Sequence, residues 1–541
     1  MKGKMKRALS LGLAVLAVCT STAACTGTTG KNSITLNYFL SGYGAEWIKA
    51  VVKDYTENVN PDVEINLKQS GSNEDAKNKV QTTACDDLYF AETDFFRMQN
   101  YLTNLDDLYE MEVYGESGVK VKDKLSADVL SYYAEKGGYY QVPHSNLYGY
   151  NWVYNKTLLD ETFPDGYDLP NTTNEFLAFG DELFHEGVYL TATALGGKKY
   201  EEYLQYALRG WLMQMLGSEG NSNFFKGMYH NDEGELVLAE ASPQPLFESA
   251  RTAIEETYDF ARVLCTPTAF SGNEVQYLHN YSKTFGFKDV DLIFYGGKYH
   301  GVELPRTAFH YTGIWLEREV ATYVKNGIID DAQEIVAMKM PVMSKIIDVL
   351  PDKSVKDDAT LSAVIDAIDA GETSYSGVSA NDFARIKEAR NIKAEMINPV
   401  MLIPKHASNK DIAKAFVAYL FSDRAQKIAA QATGGIPILP YGYIPNDEDM
   451  GFEISSYVKS VLALQKNSVI CDVSQNNNAF KTATQLNWFF DDSVIGSNPL
   501  AKAFFINANC PTKDLIVNKT ISHFSNGWDI MVDTYRGFIG E

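Results

Sequence analysis

The sequence predicts an α/β protein built as two hinge-linked lobes joined by crossing strands. Three observations carry that expectation. The chain has 541 residues, more than one hydrophobic core ordinarily serves, so two or more lobes follow. Ile34–Leu67 reads as strand, helix, strand, the signature of a parallel sheet. Gly137–Asp160 reads as a strand stopped by a proline, then a second strand and a helix. That pattern suits a chain leaving one sheet, crossing open space and entering another.

Composition narrows the class. The chain is 45% apolar and 22% charged, which is globular rather than disordered. Net charge is −22, and loss of the leader cations Lys2, Lys4, Lys6 and Arg7 takes it to −26. Such a chain repels nucleic acid and anionic headgroups, which argues against a nucleic-acid partner. The leader has those four cations followed by an apolar Ala8–Cys19, too short for a transmembrane helix, which needs roughly 20 residues. Thr22-Ala23-Ala24-Cys25 places small residues directly before a cysteine. Two readings are open there: a lipoprotein signal with cleavage before Cys25 and acylation (palmitate) of that residue, or an ordinary signal-peptidase site. The first makes 1–24 the signal peptide and 25–33 the acylated cysteine and a flexible tether. Cys85, Cys265, Cys471 and Cys510 form no C-x-x-C pair and no common zinc spacing. Their pairing is not readable from sequence.

In chain order, Ile34–Leu40 alternates as a strand and stops at Ser41-Gly42-Tyr43-Gly44. From Ala45 the spacing turns helical, with Ile48, Val51, Val52, Tyr55 and Val59 on one face until Asn60-Pro61. Val63, Ile65 and Leu67 then alternate with polar residues as the next strand. Ligands of parallel sheets bind beyond the carboxyl ends of the strands, which places Ser41–Trp47 at the mouth of a site. A third strand, Asp87–Phe90, runs into Ala91-Glu92-Thr93-Asp94. In the crossing segment, Tyr139–Val142 and Tyr148–Tyr154 are strands, and Pro143, with no N–H to donate, ends central pairing between them. Thr172 with Glu175 reads as a capping box, and Leu204–Gly217, with Trp211, Met213 and Met215, as a buried helix. Val342–Arg390 holds acidic helical patterns and is expected as a surface insertion. Pro399–Pro404 is a strand returning to the first lobe. Ser408 with Asp411 caps a helix whose stripe is Ile412, Ala415, Phe416, Tyr419 and Leu420.

Several of these stretches also carry a family resemblance. They are Gly138-x-Tyr140-x-x-Pro143 with Val153-Tyr-Asn-Lys-Thr-Leu-Leu159, Pro170-x-Thr172-x-x-Glu175-Phe176, Phe294-Tyr-Gly-Gly-Lys298, and Gly313-Ile-Trp315. The most specific is Ile403-Pro-Lys-His-Ala-Ser408-Asn, followed by Ser422-Asp-Arg-Ala425-Gln426 and Gly434-Gly435-Ile436-Pro437. Together they resemble extracellular solute-binding protein family 1, the lipoprotein substrate-binding components of carbohydrate ABC transporters. The likeness runs from Ile34 to about Pro440, and departs from the family pattern by inserting Tyr299–Arg306 and 342–390. It implies the two-lobed periplasmic-binding-protein-like fold (type II) with a central ligand cleft. Lobe 1 would be 34–145 with a return segment 396–436. Lobe 2 would be 146–395, with a C-terminal helical part, 437–541, lying on it.

By the same resemblance the protein captures a sugar or oligosaccharide and delivers it to ABC permease subunits, as an anchored, extracytoplasmic monomer without cofactor or metal. Aromatic content of 12%, with 33 tyrosines, fits a sugar, because C–H-rich sugar faces pack on flat rings. The expected ligand set is Tyr43, Glu46, Trp47, Asp94, His144, Tyr150, Trp315 and Gly435. Trp47, Tyr150 and Trp315 would stack, while Asp94 (or Glu92), Glu46 and His144 would hold hydroxyls. A non-sugar solute and a sensory lipoprotein of the same fold stay open as alternatives.

An enzyme reading finds little to stand on. His185-Glu186 has no second histidine four residues later, and no G-x-S-x-G, P-loop or G-x-G-x-x-G is present. Asp447-x-Asp449-x-Gly451 lacks the spacing and closing glutamate of a calcium loop. Only a glycosidase carboxylate pair, whose members are distant in sequence, escapes this test.

Overall fold

The computed structural model describes residues 32–93, 95–135, 137–144, 149–196, 203–272, 274–329, 333–395, 399–438, 442–465, 468–472, 500–506 and 510–539. Cys25 and the leader, and with them the lipidation reading, lie outside the described residues, as does Asp94.

The first lobe opens with β1 (Ser33–Tyr38), α1 (Glu46–Asp54), β2 (Glu64–Gln69) and β3 (Leu88–Ala91). β2 and β3 flank β1, both parallel to it, as the strand–helix–strand pattern requires. α1 buries Trp47, Ile48, Val51 and Val52, and its run ends in a wider turn over Tyr55–Val59 before Pro61. β4 (Val142–Pro143) forms the far edge of this sheet, where a missing N–H costs no ladder bond.

The chain then enters a second sheet as β5 (Tyr150–Asn155). The Asn155 side chain caps α2 (Lys156–Thr162) by accepting from the Leu158 N–H, and the expected Thr172–Glu175 box caps α3 (Thr173–His185). Next come β6 (Tyr189–Thr191), α4 (Leu204–Phe225), α5 (Arg251–Cys265), α6 (Phe287–Phe294), β7 (Thr307–Gly313), α7 (Leu316–Lys325) and β8 (Ile335–Met338). The sheet order is β8-β5-β7-β6, with β5 antiparallel to both neighbours.

Residues 342–390 depart from expectation. α8 (Asp358–Asp369) and α9 (Ala380–Arg390) are built into the second-lobe core rather than carried on its surface. Leu361, Val364, Ile365, Phe383 and Ile386 are each at most 4% exposed, within one cluster with Trp152 and Trp211. Most of the acidic residues lie on the outer faces of these helices, while Asp382 is buried and accepts from Asp352 and Ser354; the apolar stripes are what the core uses.

β9 (Ile392–Glu395) leads to β10 (Val400–Leu402), which returns to the first sheet between β3 and β4, antiparallel to both. α10 (Lys410–Leu420) and α11 (Asp423–Ala432) follow. Ser408 and Asp411 do not cap α10: Asn409 is its N-cap residue and makes no side-chain cap bond. The turn is spent on tertiary ties instead, with the Ser408 N–H donating to Asp87 at 2.7 Å and the Asn409 amide to the Ser33 carbonyl at 2.6 Å. α12 (Ser456–Gln465) packs on β8, and β11 (Val469–Asp472) pairs parallel with β9. α13 (Leu500–Ile506), α14 (Lys513–Ser525) and α15 (Trp528–Ile539) close the chain, the first two against α5.

The first-lobe core between its sheet and α1, α10 and α11 is continuous with Ile335 and Ala337 of β8 and with Tyr457, Val458 and Val461 of α12. The lobes thus meet on an apolar surface. Among the described residues, no helix is long and apolar enough to cross a membrane.

Candidate functional site

Strand register decides which side chains meet. β1 and β3 run parallel, with Tyr38 opposite Phe90, so the Ser41–Tyr43 loop and Glu92 leave the same edge. Val400 of β10 faces Ala91 on one side and Pro143 on the other. His144 therefore emerges beside Glu92, with Nε2 3.7 Å from Oε1. In the second sheet Tyr150 opens β5 opposite Gly313, which closes β7. That pairing brings Tyr150 against Trp315, two residues beyond.

The two edges face each other through aromatic rings. Trp315 meets Tyr43 of the first lobe at 5.7 Å and 85°, and Tyr150 of the second at 5.3 Å and 87°. Both are edge-to-face contacts, in which a ring edge meets the electron-rich face of its partner. Tyr203 adds a third such contact at 6.4 Å, and Tyr206 and Tyr311 complete the cluster around Tyr150. Two glycines make room for the indole. A Cβ on Gly313 would lie 2.3 Å from the Trp315 six-membered ring, and one on Gly42 would lie 3.1 Å from its five-membered ring.

The polar part of the site is acidic. Burial pushes the Glu92 carboxyl up to about 7 and that of Glu319, on the first turns of α7, up to about 8. Burial likewise lowers His144 to about 4, so its imidazole is neutral near pH 7. Neither ring nitrogen makes a hydrogen bond, although the Ala91 and His144 carbonyls lie near. The Tyr43 hydroxyl is pushed well above its ordinary value, first by burial and then by the charges of Glu92, Glu395 and Glu319. On β7 and α6, His310 and Asp291 are buried and joined at 3.0 Å. Glu395 is fully buried and pairs with Lys393 at 3.3 Å.

Of the residues expected at the site, Tyr43, His144, Tyr150 and Trp315 come together here. Trp47 adjoins them from below: it is 2% exposed, and its ring stacks with those of Phe90 at 5.9 Å and His144 at 6.3 Å. It supports the floor rather than offering a face. Glu46 points to solvent in the first turn of α1 and pairs with Lys49 at 3.2 Å. Gly435 lies in the turn just after α11, in the left-handed region (φ +92°), with Ile454 where a side chain would go. Its amide caps the helix by donating to the Ala430 carbonyl. Sequence reasoning passed over Glu319, Glu395, Tyr203, Tyr206 and Tyr311. Glu319 alone had a local signal, since it lies four residues after Trp315 on the same helical face.

Among the described residues, no group of three or more His, Cys, Asp or Glu could hold a metal ion. Two small cavities lie among the described residues: about 30 Å³ beside Tyr150, Tyr311, Arg390 and Lys393, and about 10 Å³ beside Thr193, Tyr203 and His310. Each has room for only a water or two, whereas sites for organic ligands measure roughly 300–1,000 Å³.

No family model matches the sequence, and no curated protein sequence matches it. Solved structures do match. The unliganded RafE of Streptococcus pneumoniae superposes with a TM-score of 0.53 at 14% identity, over 92% of this chain and 98% of that one. The GacH receptor of Streptomyces glaucescens gives 0.52 at 14%, over 94% and 99%. An ABC substrate-binding protein of Listeria monocytogenes, in complex with cycloalternan, gives 0.51 at 14%, over 92% and 99%. The chain has the two-lobed α/β fold of these solute-binding proteins.

Proposed function

We propose that the protein is an extracytoplasmic substrate-binding lipoprotein, anchored through acylated Cys25, that captures an oligosaccharide between its lobes and hands it to an ABC importer. The observation that carries this reading is the meeting of Tyr43 and Trp315 from opposite lobes at strand ends. Parting the lobes would bare flat aromatic faces on both walls, against which the C–H-rich faces of sugar rings pack. Glu92, His144 and Glu319 would serve the sugar hydroxyls. The neighbours support the choice of ligand class, since their structures are described with raffinose, acarbose and cycloalternan. No chemical step is needed: hinge closure around the solute gives the permease a liganded shape to recognise. The ligand shifts this equilibrium only as far as it prefers the closed form.

A thermal-shift screen of Thr26–Glu541 against mono- and oligosaccharides, peptides and polyamines tests the reading. A ligand at about 100 times its Kd stabilises the native state by about 2.7 kcal/mol. The reading expects one sugar series to raise the melting temperature and to be recovered uncleaved. Cleaved sugar would make the protein a hydrolase, and a shift with peptides alone would make it a receptor for another solute.

A further inference from the structure

We infer that the solute held at this site carries a protonated amine, making an amine-bearing oligosaccharide its ligand class; the inference rests on the reading of the cleft as a solute site. The loop Ser41–Tyr43 runs between two acidic side chains from opposite lobes. The Ser41 side chain donates toward the Glu92 carboxyl, while a Cβ on the adjacent Gly42 would lie 3.2 Å from Glu319 Oε1. Glu92 Oε1 and Glu319 Oε2 are each buried without a hydrogen-bond partner. An independent observation points the same way. His144 is 4% exposed, neither of its ring nitrogens makes a hydrogen bond, and Nε2 is aimed at Glu92 from 3.7 Å.

Among the described residues, no cation pairs with Glu92 or Glu319. Lys393 is engaged with Glu395 and Gln465. Lys288 is exposed and acts on Glu319 only through its charge. The Arg318 guanidinium lies 3.8 Å from where a Gly44 side chain would begin, and no ion pair joins it to Glu92 or Glu319. A ligand hydroxyl would donate a hydrogen bond to one orphan oxygen but offer no charge to a carboxyl that ionises. An ammonium supplies three N–H donors and a positive charge, against acceptors on Glu92, Glu319 and the neutral imidazole. Charge-assisted bonds of this kind are about twice as strong as neutral ones, and a buried carboxylate needs such a partner. Burial raises the two carboxyls to about 7 and about 8, so an ammonium that draws them into their charged form near pH 7 also expels protons.

The test is isothermal titration at pH 7 in two buffers of different ionisation enthalpy. Glucosamine oligosaccharides, their N-acetylated counterparts of equal length, and spermidine are titrated into the wild type, Glu92→Gln and Glu319→Gln. The inference expects the free-amine series to bind at least about tenfold tighter than the acetylated one, with proton release, and expects both features to fade in the two variants. An acetylated series that binds as tightly or tighter overturns the inference and leaves the sugar reading standing. An amine preference that persists unchanged in both variants overturns it as well. Binding of spermidine without either sugar series overturns the sugar reading and upholds the amine. Binding of none overturns both.

Discussion

Gly313→Ala isolates the support of Trp315 by adding one methyl group. Gly313 lies in β7 with no need for a positive φ, so alanine suits its backbone and only the added Cβ matters. That carbon would stand 2.3 Å from two indole carbons and 2.5 Å from a third, where contact distances are about 3.5–4.0 Å. The ring must therefore retreat by more than about 1 Å, into Tyr43 on one side and Tyr150 on the other. Overpacking of this kind costs about 1–3 kcal/mol. The strain exists only while the indole is present. Urea unfolding of wild type, Gly313→Ala, Trp315→Ala and the double variant closes a mutant cycle. The cost of the alanine should fall to within about 0.5 kcal/mol of zero in the Trp315→Ala background, a non-additivity well beyond that of independent sites. An equal cost in both backgrounds would refute the placement of the ring over Gly313.

Three further outcomes are expected. Glu92 and Glu319 have raised carboxyls, so the stability they permit is complete below the ordinary value of 4.5 and is lost as pH rises through about 7 and about 8. His144 has the opposite sign and costs stability only as pH falls from 6.5 toward about 4. Each carboxyl should thus lower stability by up to about 1.4 kcal/mol per pH unit as pH rises from 4.5 to its raised value, with His144 offsetting part of the loss below pH 6.5. Glu92→Gln, followed by urea unfolding across that range, should flatten the slope. Asp54 is held down to about 2, chiefly by hydrogen bonds from Arg424. Its contribution is present above the ordinary value of 3.8 and is lost below it, so Asp54→Asn should destabilise at pH 7 and converge with the wild type near pH 2. Thr172→Ala removes a cap and a bond to Asp358 of α8, and should cost about 1–2 kcal/mol in chemical unfolding.

Local pattern wrote the first lobe plainly. The alternation of Ile34, Leu36, Ile65 and Leu67 and the stripe of α1 each reflect burial on one side, which sequence spacing records directly. Pro143 signals the end of central pairing, and it stands within the edge strand β4, opposite Val400; Gly313-Ile-Trp315 marks an aromatic at a strand end. The misreadings share a different cause. Asn409 takes the N-cap position because Ser408 is drawn to Asp87, a partner 321 residues away. α8 and α9 looked peripheral because their acids are frequent, yet position relative to α4 decides burial. Glu395 is fully buried opposite Asp472 of β11, a pairing that no local spacing announces. The convergence of Glu92, His144 and Glu319 on Tyr43 depends on strand register and on how the lobes meet, and neither is written in any short stretch.

The most direct test of the central claim is calorimetric titration of an oligosaccharide found in the thermal-shift screen, comparing wild type with Trp315→Ala and analysing the recovered sugar. The account predicts a single site in the wild type, affinity lower by at least about tenfold in the variant, and sugar returned intact. Unchanged affinity in Trp315→Ala, or sugar returned cleaved, would contradict it.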